Sequence, residues 1–224
     1  MTQENRLLLK KSLTFWDKLT TDEQSYIEEH THVVQYDAGK NIHSGDMDCL
    51  GIVIVKTGCI RSYILSEKGK DVTLFRLYPG ELCILSASCI LPNITFDVHI
   101  DVEEKSELLI IHSTIFSRLI KENIYIENFS YKIVMDKFSD VMWTMEQILF
   151  MSFDKRLAIF LLDEAHKRKT HIIPLTHEQI ARYIGSAREV VSSMLKYFAS
   201  EGLISLHRGE IVLENIPKLK SLTL

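Results

Sequence analysis

The chain has 224 residues, 46% hydrophobic and 25% charged, which is the balance of a globular protein able to bury a sizeable core and which excludes intrinsic disorder. Nine glycines and four prolines exclude collagen-like or low-complexity material, and apolar runs such as Leu50–Val55 stay far below the roughly 18 residues a bilayer span requires. The formal charge of -4 hides a division: residues 1–165 carry 17 Lys+Arg against 25 Asp+Glu, residues 166–224 carry 9 against 5, so a polyanionic partner is expected to meet the C-terminal part. Met1–Lys10 lacks the order of a signal peptide, and a cytoplasmic location is the expectation.

In chain order, the first 30 residues predict helix, with Thr21 and Gln24 as a capping box. From Val33 to His112 the texture becomes short β-rich runs: Val33–Tyr36, Leu50–Val55, Cys59–Leu65, Val72–Leu77, Phe96–Val102 and Glu107–His112. Turn residues separate them, among them Ser44-Gly45-Asp46, Thr57-Gly58 and Pro79-Gly80-Glu81. Many short strands with no long intervening helix predict an antiparallel sandwich or jelly roll. Cys49, Cys59, Cys83 and Cys89 are too sparse for a disulfide scaffold and lack zinc-site spacing.

Beyond residue 112 the period turns helical. Tyr131, Val134, Phe138, Val141, Met145 and Ile148 form a heptad seam suited to a second copy of the helix, and Met135, Met142 and Leu149 form another stripe. An ordinary core helix with a wide apolar face fits the same period. Residues 154–169 predict a further amphipathic helix with a basic end.

Residues 174–213 carry the strongest functional pattern. Thr176 with Gln179 predicts a capping box opening a short helix with Ile180, Ala181 and Ile184 inward. Gly185 breaks it, and Ser186 is placed to cap a second helix with Val190, Val191, Met194, Leu195 and Phe198 buried. Leu203–Leu206 and Glu210–Leu213, joined through His207-Arg208-Gly209, predict a hairpin. Helix, turn, helix and wing in this order predict a DNA-binding module. Arg188 can fork onto guanine and Glu189 can accept from cytosine, with Ser186, Ser192 and Ser193 on the same outward side. Thr176, His177, Gln179, Lys196 and Arg208 are expected to hold phosphate or sugar.

Pro79-Gly80-Glu81-Leu82, Arg156 to Leu162, Thr176 to Ala181, Gly185 to Leu195 and Glu201-Gly202-Leu203-Ile204 together resemble the Crp/Fnr superfamily of bacterial transcription regulators over nearly the full length. The resemblance implies an α+β fold: a β-roll of the cyclic-nucleotide-binding kind with the N-terminal helix (1–122), a long dimerisation helix (123–152) and a winged helix-turn-helix (153–224). It implies a homodimer on a double-stranded operator of two-fold symmetry, RNA polymerase as a partner if the protein activates, no membrane, and a small-molecule or redox effector in the roll. Gly80, Glu81, Leu82, Cys83, Ser86, Ser88, Cys89 and Thr95 mark the family's pocket.

Two departures follow. Family members that bind cyclic nucleotides carry an Arg-Ser or Arg-Thr pair after the Gly-Glu-Leu turn, whereas Cys83 to Phe96 here contain no arginine. A buried phosphodiester without a guanidinium is poorly compensated, so cyclic AMP is not the expected effector. The family's third base-reading position matches Ser193, which changes one base of the half-site. Residues 1–48 hold no cysteine for an N-terminal iron-sulfur cluster. Cys83 and Cys89 leave a thiol sensor open, though buried cysteines most often act as small hydrophobes. Haem on His30, His32, His43, His99 or His112 also stays open. A cupin-like enzyme is the alternative of another class, but His30-Thr31-His32 lacks a completing Glu and His, and neither a metal nor a catalytic constellation stands out.

Overall fold

A computed structural model of the chain describes residues 1–44, 50–67, 69–84 and 97–224. The chain divides into two compact units, Met1–Lys70 with Leu74–Val141 and Asp71–Thr73 with Met142–Leu224. No described helix is long and apolar enough to cross a membrane.

In the first unit, α1 (Gln3–Ser12), a 3-10 turn (Trp16–Lys18) and α2 (Thr21–Glu29) precede an antiparallel sheet. The strands are β1 (Thr31–Tyr36), β2 (Asn41–His43), β3 (Ile52–Leu65), β4 (Asp71–Leu77), β5 (Leu82–Cys83) and β6 (His99–Ile111). The main path runs β1-β6-β3-β4, with β2 also on β6 and β5 on β3. The helix cap expected at Thr21 sits one residue earlier: Thr20 accepts from the Glu23 N–H, and Glu23 Oε2 accepts the Thr20 N–H at 2.7 Å. Both threonines have a suitable partner three residues on, but the carboxylate of Glu23 is the stronger acceptor, and Gln24 is drawn off to donate to the Trp16 carbonyl at 3.0 Å.

Four of the expected strands fuse into two long ones. Leu50–Val55 and Cys59–Leu65 become β3, and Phe96–Val102 and Glu107–His112 become β6, Phe96 itself lying outside the described residues. Thr57-Gly58 is a bulge inside β3 rather than a turn, with register shifts against β6 between Val55 and Ile60. Gly58 takes φ +85, and a Cβ there would stand 2.8 Å from Ser106 Cα, so the bulge requires glycine.

Both faces of the sheet are buried where β3 begins and β6 ends. Ile52, Ile54, Leu109 and Ile111 pack under Leu9, Leu13, Trp16 and Ile27 of the N-terminal segment and under Phe116 and Leu119 of α3 (Ser113–Glu122). Val53, Val55, Ile60, Phe75, Leu77, Cys83, Ile100 and Val102 form the interior of the roll. Residues 52–55 are therefore apolar without alternation, as a strand covered on both sides must be.

The helix α4 runs for 27 residues, Ile124–Phe150. In the second unit follow α5 (Phe153–Arg168), β7 (Ile172–Ile173), α6 (His177–Tyr183), α7 (Arg188–Ser200), β8 (Ile204–His207), β9 (Glu210–Leu213) and α8 (Ile216–Ser221). One apolar core joins Leu157 and Leu161 of α5, Ile180 of α6, Val191, Leu195 and Phe198 of α7, Ile204, Ile211 and Leu213 of the hairpin, and Leu219 of α8.

Candidate nucleic-acid interface

The site begins at Thr176, the N-cap of α6. Its hydroxyl accepts from the Gln179 N–H at 3.2 Å, while Gln179 Oε1 accepts the Thr176 N–H at 2.9 Å, a reciprocal box. At the other end of α6, Gly185 adopts φ +62 and the Ser186 N–H reaches back to the Ala181 carbonyl at 2.9 Å, which closes a Schellman turn. Arg156 Nη1 donates to the Ile184 carbonyl at 3.1 Å, placing a guanidinium where the helix end is negative. These contacts set the angle at which the next helix departs.

Ser186 does not cap that helix. The N-cap is Ala187 and makes no side-chain cap bond, because the Schellman turn commits the Ser186 N–H backwards and carries the chain one residue further before α7 starts. Val191, Leu195 and Phe198 are fully buried, but Val190 is 44% exposed, since only a narrow stripe of α7 meets the core. Arg188, Glu189, Ser193, Lys196 and Tyr197 are exposed on α7, and Ser192 is half-buried.

His177 ties the two helices together through a 3.2 Å hydrogen bond between Nδ1 and Ser192 Oγ. Burial holds its basicity below the ordinary histidine value, and the charges of Arg188 and Lys196 lower it further. Arg188 and Lys196, which act on His177 in this way, are two more of the expected contact residues. Thr176, His177, Glu178 and Arg188 line one side of a cleft of about 450 Å³, and His207, Gly209 and Glu210 of the hairpin line the other. His207 pairs with Glu210, leaving Arg208-Gly209 as a two-residue turn whose Gly209 takes φ +82 and whose Arg208 is exposed at the tip. The sequence reading did not include His207 and Glu210 in the site; their place at the base of a two-residue turn was the signal available for them.

Residues 155–222 match the model of the Crp-like helix-turn-helix domain. A solved chain from Eubacterium rectale ATCC 33656, assigned to the Crp/Fnr family of transcriptional regulators, superimposes with a TM-score of 0.89 at 41% identity, over 93% of this chain and 97% of that one. The chain belongs to the Crp/Fnr family. It is a transcription regulator with a helix-turn-helix DNA-binding domain. The transcriptional regulatory protein btr of Bordetella pertussis is 23% identical over 84% of this chain and 80% of its own length. FixK2 from Bradyrhizobium japonicum, at 17% identity over 87% of this chain and 98% of its own, shares the fold with a TM-score of 0.69.

Within this Crp/Fnr chain, the stripe of α4 left open differs from the seam read in the sequence. Tyr131, Met135, Phe138, Met142, Met145 and Leu149 are all at least 44% exposed and recur at spacings of four and three. Val134 and Val141 instead turn inward and pack against the two cores of the first unit. The first unit has its own apolar faces to cover, and the two valines join Ile126, Phe129 and Ile133 of α4 in covering them. Ile148 is 38% exposed, at the border of the stripe.

Of the family-pocket positions, Gly80 forms a turn at φ +91, Glu81 Oε2 accepts the Tyr78 N–H at 2.8 Å, and Leu82 and Cys83 are buried in β5 on opposite faces. Ser86, Ser88, Cys89 and Thr95 lie outside the described residues, as does Cys49. The candidate haem histidines sit in different settings. His30 bonds to the Tyr26 carbonyl at 2.8 Å, His99 stacks on Tyr63, His112 caps α3 through the Thr114 N–H, His32 is exposed and His43 is buried. Among the described residues, no three His, Cys, Asp or Glu side chains converge as metal ligands would.

Proposed function

We propose that this Crp/Fnr regulator acts as a homodimer, paired along Tyr131, Met135, Phe138, Met142, Met145 and Leu149, and reads an operator of two-fold symmetry with Arg188, Glu189 and Ser193. The observation that carries the reading is the exposed start of α7, where Arg188 and Glu189 stand clear of the core beside His177 and Lys196. An Arg fork and a carboxylate acceptor at the start of a recognition helix suit a G·C-containing half-site. Lys196, Thr176, His177, Gln179 and Arg208 serve the phosphates, although Thr176 and Gln179 spend their cap hydrogen bonds on each other.

The β-roll is the effector domain in this reading. Its signal is neither cyclic AMP, because residues 83–96 contain no arginine, nor an N-terminal iron-sulfur cluster, because residues 1–48 contain no cysteine. Cys83 is completely buried among apolar side chains, which favours a packing role over a reactive thiol.

Operator selection followed by anisotropy titration tests the reading. Arg188→Ala should lose base preference, Lys196→Ala should weaken all sequences alike and flatten the salt dependence, and both losses should be absent in Glu67→Ala. Unchanged selectivity in Arg188→Ala would remove the base-reading assignment.

A further inference from the structure

The first turn of α7 presents three side chains to the outside, and one of them has no polar use. The helix opens at Arg188, so Arg188, Glu189 and Val190 make up that turn. Val191, Leu195 and Phe198 are fully buried and mark the side of the helix that meets the core. At about 100° per residue, Glu189, Ser193 and Tyr197 stand roughly opposite that side with Val190 next to them, while Arg188 and Ser192 lie on the flank that His177 touches. Val190 is 44% exposed, and Tyr197, two turns on along the same flank, is 55% exposed. Ser193, the exposed neighbour one turn on, is too short to cover Val190. A lone exposed valine elsewhere on a surface calls for no account. Here it occupies the opening turn of a DNA-binding helix, where valine is a poorer helix former than alanine and gains little from burial while no DNA is bound.

We propose that Val190 reads a thymine of the half-site through its 5-methyl group. The assignment rests on α7 being the helix that enters the major groove in the operator reading given above. An isopropyl side chain has neither donor nor acceptor, so it cannot hold a phosphate or pair with the polar edge of guanine, adenine or cytosine. The thymine methyl is the one apolar group that a base edge presents in the major groove, and it is the feature such a side chain can select. The position of Val190 in the helix also limits where that thymine lies. Adjacent helix positions differ by about 1.5 Å of rise, against about 3.4 Å per base-pair step, so Val190 meets the groove within about two base pairs of Glu189. Arg188 and Glu189 then supply the polar part of the code, and Val190 adds an apolar letter beside it.

Uracil differs from thymine only by that methyl, so the test exchanges single thymines for uracil, symmetrically in both half-sites, in the operator selected with the wild-type protein. Anisotropy titration of the full-length wild type should show a loss of about fourfold per methyl, about 15-fold for the symmetric pair, at a thymine within about two base pairs of the pair whose preference Glu189→Ala abolishes. Val190→Ala should bind the thymine operator about as weakly as the wild type binds the uracil one, and should lose less than about twofold on the same exchange. It should also keep the base preference set by Arg188 and an unchanged Tm, which shows that the module still folds and docks. A selected operator with no thymine in that window, a wild type indifferent to uracil at every thymine there, or a uracil penalty of the same size in Val190→Ala each overturns the assignment. If the wild type selects no operator, the regulator reading falls first; if it selects one and Arg188→Ala loses base preference while the uracil exchange is silent, only the role of Val190 falls.

Discussion

Phe138→Ala is the most direct probe of how two copies would meet. The ring is 55% exposed in the single chain, so about 100 Å² of a side chain presenting roughly 200 Å² is open to water. Facing its counterpart in a symmetric dimer, it closes about 200 Å² in all, an upper limit near 5 kcal/mol at about 25 cal/mol per Å². Contact is never complete at a helix seam and alanine keeps its Cβ, which leaves about 2–3 kcal/mol, or about 30- to 160-fold in the dimer Kd. Sedimentation equilibrium across a concentration series reads that shift. Val134→Ala is the matched control: Val134 packs against the core of its own unit, so its loss should cost about 1–2 kcal/mol of fold stability and leave the dimer Kd in place. If Val134→Ala dissociates the dimer and Phe138→Ala does not, the exposed stripe has been assigned to the wrong side of the helix.

Gly58→Ala should destabilise the first unit by at least about 2 kcal/mol, through a left-handed backbone and a collision with Ser106, read as a lower urea midpoint; an unchanged midpoint would show that the bulge can relax. Leu195→Ala, at a fully buried site in the second unit's core, should cost about 3–5 kcal/mol, with loss of operator binding at temperatures where the first unit is still folded. His177 gives a pH signature. Its basicity is depressed in the fold, so as pH falls below about 6.5 the unfolded chain takes up the proton first and this residue costs stability there, with no cost at higher pH. Nearby phosphate favours the charged ring, so operator affinity should rise between about pH 7.5 and about pH 6 and the rise should vanish in His177→Gln; equal slopes in the two proteins would remove His177 from the interface.

The helix-turn-helix was legible because its signals are local. Thr176 and Gln179 satisfy each other within one turn, Gly185 supplies a conformation few residues accept, and Arg208-Gly209 closes its own hairpin. The β-roll was less legible in detail, because Gly58 and the polar run Glu103-Glu104-Lys105-Ser106 look like turns when each strand is read alone. Only the pairing of β3 with β6 shows them to be a bulge and the strand facing it. The exposed stripe of α4 differs from the seam read in the sequence for another reason. Both stripes of the helix are apolar and share the same period, so only the rest of the first unit decides which is covered, and Val134 and Val141 are covered.

The short strand β7 changes what the hairpin can do. By pairing Ile172 with Val212 and Ile173 with Ile211, it turns a two-stranded finger into a three-stranded plate fastened to the segment that leads into α6. In the proposed operator reading, the tip at Arg208 and the exposed start of α7 would then act as the two jaws of one calliper, so a duplex whose groove width departs from their gap should lose both grips together.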